Sequence, residues 1–231
     1  MTTTMDGSAP GTQHAALDPA FVLSRLRPLY GPLRWRPHGD AITELVLTIL
    51  SQHTNDTNSG RAFTALQRRF PRWDDVLAAD PAALTESIRA GGLANQKAPR
   101  IRQVLARIKE ERGGWALDFL RDLPLEEAKT WLRALPGVGP KTAACVLMFA
   151  LGRPALPVDT HVFRVSKRLG MLDAKTSADQ AHAALEARVP PEDTYAFHIA
   201  LIKHGRHTCT ARAPACGRCP LNDLCPSALQ C

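Results

Sequence analysis

The residues of this sequence best placed to do chemistry are a lysine at the start of a helix and four cysteines near the end of the chain. Lys141 follows the run Leu135-Pro136-Gly137-Val138-Gly139-Pro140 and opens the apolar segment 142–151. A cation in the first turn of a helix opposes the helix macrodipole, which disfavours the ammonium form and favours the nucleophilic amine. In isolation, a surface lysine contacting a phosphate is the simpler account. Asp159, in Leu156-Pro157-Val158-Asp159-Thr160-His161, has the type and position of a helix cap. Cys209, Cys216, Cys219 and Cys225 are spaced C-x6-C-x2-C-x5-C, so four thiolates can wrap one compact site. Tetrahedral zinc and an iron–sulfur cluster both take such a set, although zinc commonly uses two C-x2-C knuckles and only Cys216/Cys219 forms one.

These groups need rigid supports, and the pattern around them is helical. Pro136 stops one helix, the glycines at 137 and 139 permit positive φ and close approach, and Pro140 suits the first position of the next helix. The hairpin 135–141 then presents the amides of Gly137, Val138, Gly139 and Lys141 to an anion, here a nucleic-acid phosphate; an ordinary helix–helix turn is the alternative. Ile42, Leu45, Val46, Ile49 and Leu50 form one apolar face, and Ile101, Val104, Leu105 and Ile108 form another. Prolines separate such stripes, and Asp80-Pro81 reads as a cap with proline at the first helical position. The spacing predicts an all-α chain of about ten short helices, without sustained period-two alternation or internal repeats. Val162, Phe163 and Val165 should face inward, with Arg164, Lys167 and Arg168 outward.

Composition narrows the class. The 231 residues allow one to two domains, and 45% apolar with 22% charged residues excludes a wholly disordered chain. No apolar run is long enough to span a membrane, and the first residues lack a secretory pattern. A net charge of +7 and a pI near 9.4 suit a polyanionic partner. Cysteines crowded into one stretch point to a metal site in a reducing, intracellular compartment rather than to a disulfide framework. Cys145 reads as inert core and Cys231 as an exposed thiol. His204 and His207 read as surface or DNA-facing residues, and 1–16 as a flexible tail.

LPGVGPKTA, followed by VDTHVFR and then the four cysteines, resembles the endonuclease III family of DNA glycosylases/AP lyases, within the helix-hairpin-helix superfamily. The resemblance covers roughly residues 18–226. It implies two all-α domains, one of residues 34–153 with the hairpin and one of residues 17–33 plus 154–231 carrying the four-cysteine loop, with the active site in the cleft between them. It implies Lys141 as the nucleophile, Asp159 as the second catalytic residue, and a [4Fe–4S] cluster on Cys209, Cys216, Cys219 and Cys225. The function implied is a bifunctional DNA N-glycosylase/AP lyase that removes oxidised pyrimidines through a lysine Schiff base and β-elimination. Relatives that excise adenine or thymine from mismatches generally lack lysine at this position. An A/G or T/G mismatch glycosylase and a non-catalytic helix-hairpin-helix DNA-binding protein are the alternatives.

The partner implied is double-stranded DNA with oxidised pyrimidines or abasic sites, bound by a monomer in the cytoplasm at the nucleoid, with no membrane. Two loops would fill the space left by an extruded nucleotide: one with Gln52 and His53, one with Leu93, an apolar wedge. His53 stands where the family's glutamine is expected, and Gln52 one place earlier. His161, Arg164, Arg206, Arg212 and Arg218 complete the expected DNA contacts, alongside Gly137, Val138 and Gly139.

Overall fold

A computed structural model describes residues 17–228; the expectations for 1–16 and Cys231 lie outside them. Every regular element among the described residues is helical. The α-helices are α1 (Pro19–Tyr30), α2 (Ala41–Ser51), α3 (Asp56–Arg69), α4 (Trp73–Ala78), α5 (Pro81–Ser87), α6 (Ala94–Arg112), α7 (Leu125–Arg133), α8 (Pro140–Cys145), α9 (Thr160–Arg168), α10 (Ala178–Glu186) and α11 (Thr194–His207). No helix among the described residues is long and apolar enough to cross a membrane.

Short polar side chains decide where many of these helices begin. Asp40 accepts from Thr43 N at 2.7 Å, Asn55 from Asn58 N at 2.9 Å and Asp80 from Ala83 N at 2.9 Å. Each such cap is worth about 1 kcal/mol. The expected stripes are the buried ones. Ile42, Leu45, Val46, Ile49 and Leu50 of α2 meet Ile101, Val104, Leu105 and Ile108 of α6 and Leu147 in one apolar cluster. Val22 and Leu26 of α1, Val162 and Val165 of α9, and Phe197 and Leu201 of α11 form a second. Each buried aliphatic side chain contributes roughly 1.5–3 kcal/mol.

The helix after the hairpin departs from the regular pattern. α8 runs into a π-helical turn, Val146–Ala150, and the helix ends there, so its last carbonyls lack the donors a further turn would bring. Neighbouring segments take them up. Trp35 Nε1 donates to Met148 O at 2.7 Å and His38 N to Phe149 O at 3.3 Å. Arg121 donates to Leu151 O at 2.6 Å and Ala150 O at 3.2 Å. This turn places Phe149 in a cavity beside α2, stacked on His38 with ring centroids 4.7 Å apart and planes 12° apart.

Candidate active site and cysteine loop

Lys141 lies in the first turn of α8, behind Gly139 as the cap and Pro140 as the first helical residue. Asp159 caps α9: its Oδ1 accepts from His161 N at 2.9 Å and Val162 N at 2.8 Å. Far apart in the chain, the two side chains line the same two adjoining cavities, of about 530 and 450 Å3. The larger is bordered by Gln52, His53, Thr160 and His161, and Arg206 reaches both. Arg206 pairs with Asp56 at 2.7 Å on the exposed rim.

The two expected wedge loops share a backbone signature. His53 (φ 53°) and Leu93 (φ 50°) are the non-glycine residues at positive φ among the described residues, a conformation that costs L-residues energy and clusters at functional sites. Leu93 is 47% exposed and His53 is exposed. Gln52 is instead tied inward. Its Oε1 accepts from Arg100 Nη1 at 3.0 Å, and its Nε2 donates to Thr142 Oγ1 at 3.4 Å. Behind both loops lies Lys97, 2% exposed, whose Nζ donates to Leu50 O at 2.7 Å and Gly91 O at 2.8 Å. One ammonium thus bridges the end of α2 to the turn before Leu93. Burial lowers its pKa from the usual lysine range.

The hairpin needs glycine at 137 for two reasons. Its φ is +69°, and a Cβ there would stand 2.4 Å from Arg100 Nε. Val138 corrects an expectation: its side chain is buried and its N–H is spent on Leu135 O at 3.2 Å, so it is not among the amides open to a phosphate. The outward reading of Arg164 and Arg168 also fails. Arg164 donates to Gly205 O (2.8 Å) and Cys209 O (3.1 Å) and bonds His161 Nδ1 (3.2 Å). Arg168 donates to Thr210 O (2.6 Å), Ala211 O (2.9 Å) and Cys209 Sγ (3.3 Å). The basic face of α9 is latched onto the cysteine loop, whose carbonyls have no helix to satisfy them. Arg212 and Arg218 remain exposed, Arg218 with one bond to His207 O at 3.0 Å.

Cys209, Cys216, Cys219 and Cys225 line one apolar cavity with Val165, Leu169 and His204. Cys209, Cys219 and Cys225 are free thiols. Among the described residues, no three His, Cys, Asp or Glu side chains group tightly enough for a single metal ion. The donor set fits an iron–sulfur cluster: four sulfurs share one apolar wall, and N–H groups from Arg168 (3.3 Å to Cys209) and Leu221 (3.4 Å to Cys219) point at sulfur. His204 is a further correction. It is 1% exposed, bonds Tyr30 Oη at 3.1 Å and approaches Cys219 Sγ at 3.5 Å, so it packs behind the loop while His207 alone faces solvent.

Sequence reasoning missed the groups around the smaller cavity. Glu44 is buried there, and burial pushes its carboxyl up to about 7 against the Thr48 hydrogen bond and the charge of Lys141. His198 donates from Nδ1 to Pro157 O at 2.8 Å, and burial holds its imidazole below the usual range. Cys145, expected as core, is buried but borders this cavity; burial pushes its thiol up to about 11, so it is neutral. A glutamate within the apolar helix α2 was the one signal that could have found this wall.

Residues 46–191 match the family model described as HhH-GPD superfamily base excision DNA repair protein. Residues 209–225 match the iron-sulfur binding domain of endonuclease III. The chain is 37% identical over 188 residues to the endonuclease III of Bacillus subtilis, covering 81% of this chain and 82% of that protein. With the Escherichia coli K12 endonuclease III it shares 36% over 189 residues, 78% of this chain and 81% of the other. An Arabidopsis thaliana protein named as a DNA glycosylase is 41% identical over 80% of this chain, which spans 60% of that longer protein. Among solved structures, a trapped endonuclease III–DNA covalent intermediate superposes with a TM-score of 0.80 at 30% identity, covering 91% of this chain and 95% of the other. The chain therefore belongs to the HhH-GPD superfamily of base excision DNA repair proteins and, within it, to the endonuclease III family.

Proposed function

We propose that this protein is a DNA N-glycosylase with AP-lyase activity that excises oxidised pyrimidines from duplex DNA. The observation that carries this reading is the meeting of Lys141 and Asp159 on the walls of the same cavities. A base inside a duplex is out of reach, so the nucleotide must be extruded, at a cost of a few kcal/mol that damage lowers. The exposed wedge Leu93 and the exposed His53 are placed to occupy the gap, since the Gln52 amide is committed to Arg100 and Thr142. The open amides of the hairpin, Gly137 and Gly139 among them, then hold a backbone phosphate.

With the sugar beside α8, the Lys141 amine attacks C1′ as the C1′–N bond to the base breaks. Asp159 stabilises the positive charge developing on the sugar and assists loss of the amine proton. The resulting Schiff base permits β-elimination on the 3′ side. His161, Arg206, Arg212 and Arg218 are the further side chains that would contact the strand; Arg212 and Arg218 are exposed. Arg164 supports the interface from behind by holding the loop to α9. A [4Fe–4S] cluster on Cys209, Cys216, Cys219 and Cys225 supplies a rigid, electron-rich knot that fixes the loop bearing Arg212 and Arg218.

The two apolar clusters support a two-domain division at 34–153 and at 17–33 plus 154–231, with Lys141 and Asp159 contributed from opposite sides. The net charge of +7 suits DNA as the partner, and the protein would act on it as a monomer at the nucleoid in the cytoplasm. The decisive experiment is borohydride trapping with a thymine glycol duplex: a covalent protein–DNA adduct is expected from the wild type and none from Lys141→Gln. Strand scission that persists in Lys141→Gln without any trapped adduct would overturn the assignment.

A further inference from the structure

The smaller cavity beside Lys141 contains a carboxyl group that the mechanism above leaves idle. Glu44 projects from α2 one turn before Thr48 and is 5% exposed. Its Oε1 accepts from Thr48 Oγ1 at 3.1 Å. Its Oε2 is buried without a hydrogen-bond partner; His38 Nδ1, at 3.9 Å, is beyond hydrogen-bond reach. A stranded polar atom costs a fold about 1–3 kcal/mol, and this one borders a cavity that also holds the nucleophilic amine. The other walls suit a flat ring: Phe149, stacked on His38, with Ile199 and Ile202.

We propose that Glu44 is a catalytic acid for base excision, its neutral carboxyl hydrogen-bonding the extruded pyrimidine and protonating it as it departs. This rests on the glycosylase reading and adds to it the fate of the leaving group. The electron pair of the C1′–N1 bond leaves with the base, and the Glu44 proton passes to the base oxygen at C2, so that a neutral base departs. The Lys141 lone pair forms the new bond to C1′, the proton shed from Nζ passes to water, and the Glu44 carboxylate is reprotonated from solvent. The protonated form is present at neutral pH because burial holds the carboxyl near 7, in the range where a general acid works best. The titratable and charged groups facing it across the cavity are His38 ahead of α2, Asp56 of α3, Lys141 and Cys145 of α8, Asp159 at the start of α9, and His198 and Arg206 of α11.

The test compares two rates in single turnover on the full-length protein: excision from a thymine glycol duplex, and β-elimination at a preformed abasic site, where no base remains to be protonated. In Glu44→Gln the ratio of excision to elimination should fall about 100-fold, within the span expected of one general acid. Glu44→Asp should recover part of it. Wild-type excision should decline above about pH 7, and this alkaline limb should vanish in Glu44→Gln. A ratio within about threefold of wild type overturns the proposal, whether both rates persist or both fall together, the latter meaning that Glu44 acts through Lys141 or the fold. A wild type that neither excises the base nor cuts the abasic duplex would instead sink the glycosylase reading itself.

Discussion

Glutamine at position 44 should stabilise the free protein in mildly alkaline solution and not in acid. The Glu44 carboxyl ionises near its ordinary 4.5 in the unfolded chain and at about 7 in the fold. Between those values the folded state keeps a proton that the unfolded state releases, so stability declines as pH rises from 4.5 to 7 and is level above. The gap corresponds to about 3 kcal/mol lost by the wild type at pH 8. Glutamine carries no such charge. Its carbonyl can still accept from Thr48, while its NH2 inherits the partnerless position of Oε2 at a cost of about 1 kcal/mol. The net expectation is about 2 kcal/mol of stabilisation at pH 8, or roughly 4–8 °C in Tm for a chain of this size, turning into slight destabilisation near pH 4.5. Thermal and urea denaturation of both proteins from pH 4.5 to 8.5 would measure this. Parallel stability curves for the two proteins would refute the claim that Glu44 is buried and protonated.

Other perturbations probe the supports of the site. Lys97→Met strands the carbonyls of Leu50 and Gly91; a loss of about 2–4 kcal/mol is expected in urea denaturation, with duplex excision reduced as both wedge loops loosen. Gly137→Ala must hold φ +69° and displace the Arg100 side chain, costing about 1–2 kcal/mol, and duplex affinity measured by fluorescence anisotropy should weaken with it. His53→Ala should lower excision from duplex more than from single-stranded substrate, because only a duplex has a gap to fill. Gln52→Ala should act chiefly on stability by releasing Arg100 and Thr142, and the reverse ranking would reassign the wedge. Cys219→Ser should abolish iron content and visible absorbance and lower Tm, since the cysteine loop is then held only by hydrogen bonds such as those of Arg25, Arg164 and Arg168.

Local rules made much of the molecule readable in the chain. The α2 and α6 stripes are buried because period 3.6 puts those residues on one face, and Asp80 and Asp159 cap helices because a short carboxylate before a helical run reaches orphaned amides. The errors came where a side chain met a distant partner. Arg164 and Arg168 have the spacing of an exposed face, yet they fold back onto carbonyls of the 205–211 segment, and His204 is buried behind Cys219. Gln52 and His53 could not be ranked from their order in the chain; the contacts of Gln52 with Arg100 and Thr142 separate them.

The apolar stripes by themselves determined the all-helical class, and the order of hairpin, capping aspartate and four cysteines, each defined within a few residues, determined the kinship with the endonuclease III family and singled out Lys141 and Asp159 as the pair to test. Tertiary structure alone decided that Glu44, His38, Phe149 and His198 wall a cavity with Lys141, and that one buried lysine ties two loops together. The physical reason is range. Caps, turns and stripes are set by neighbours along the chain, whereas desolvation, and with it the protonation of a buried acid, depends on every element that closes over it.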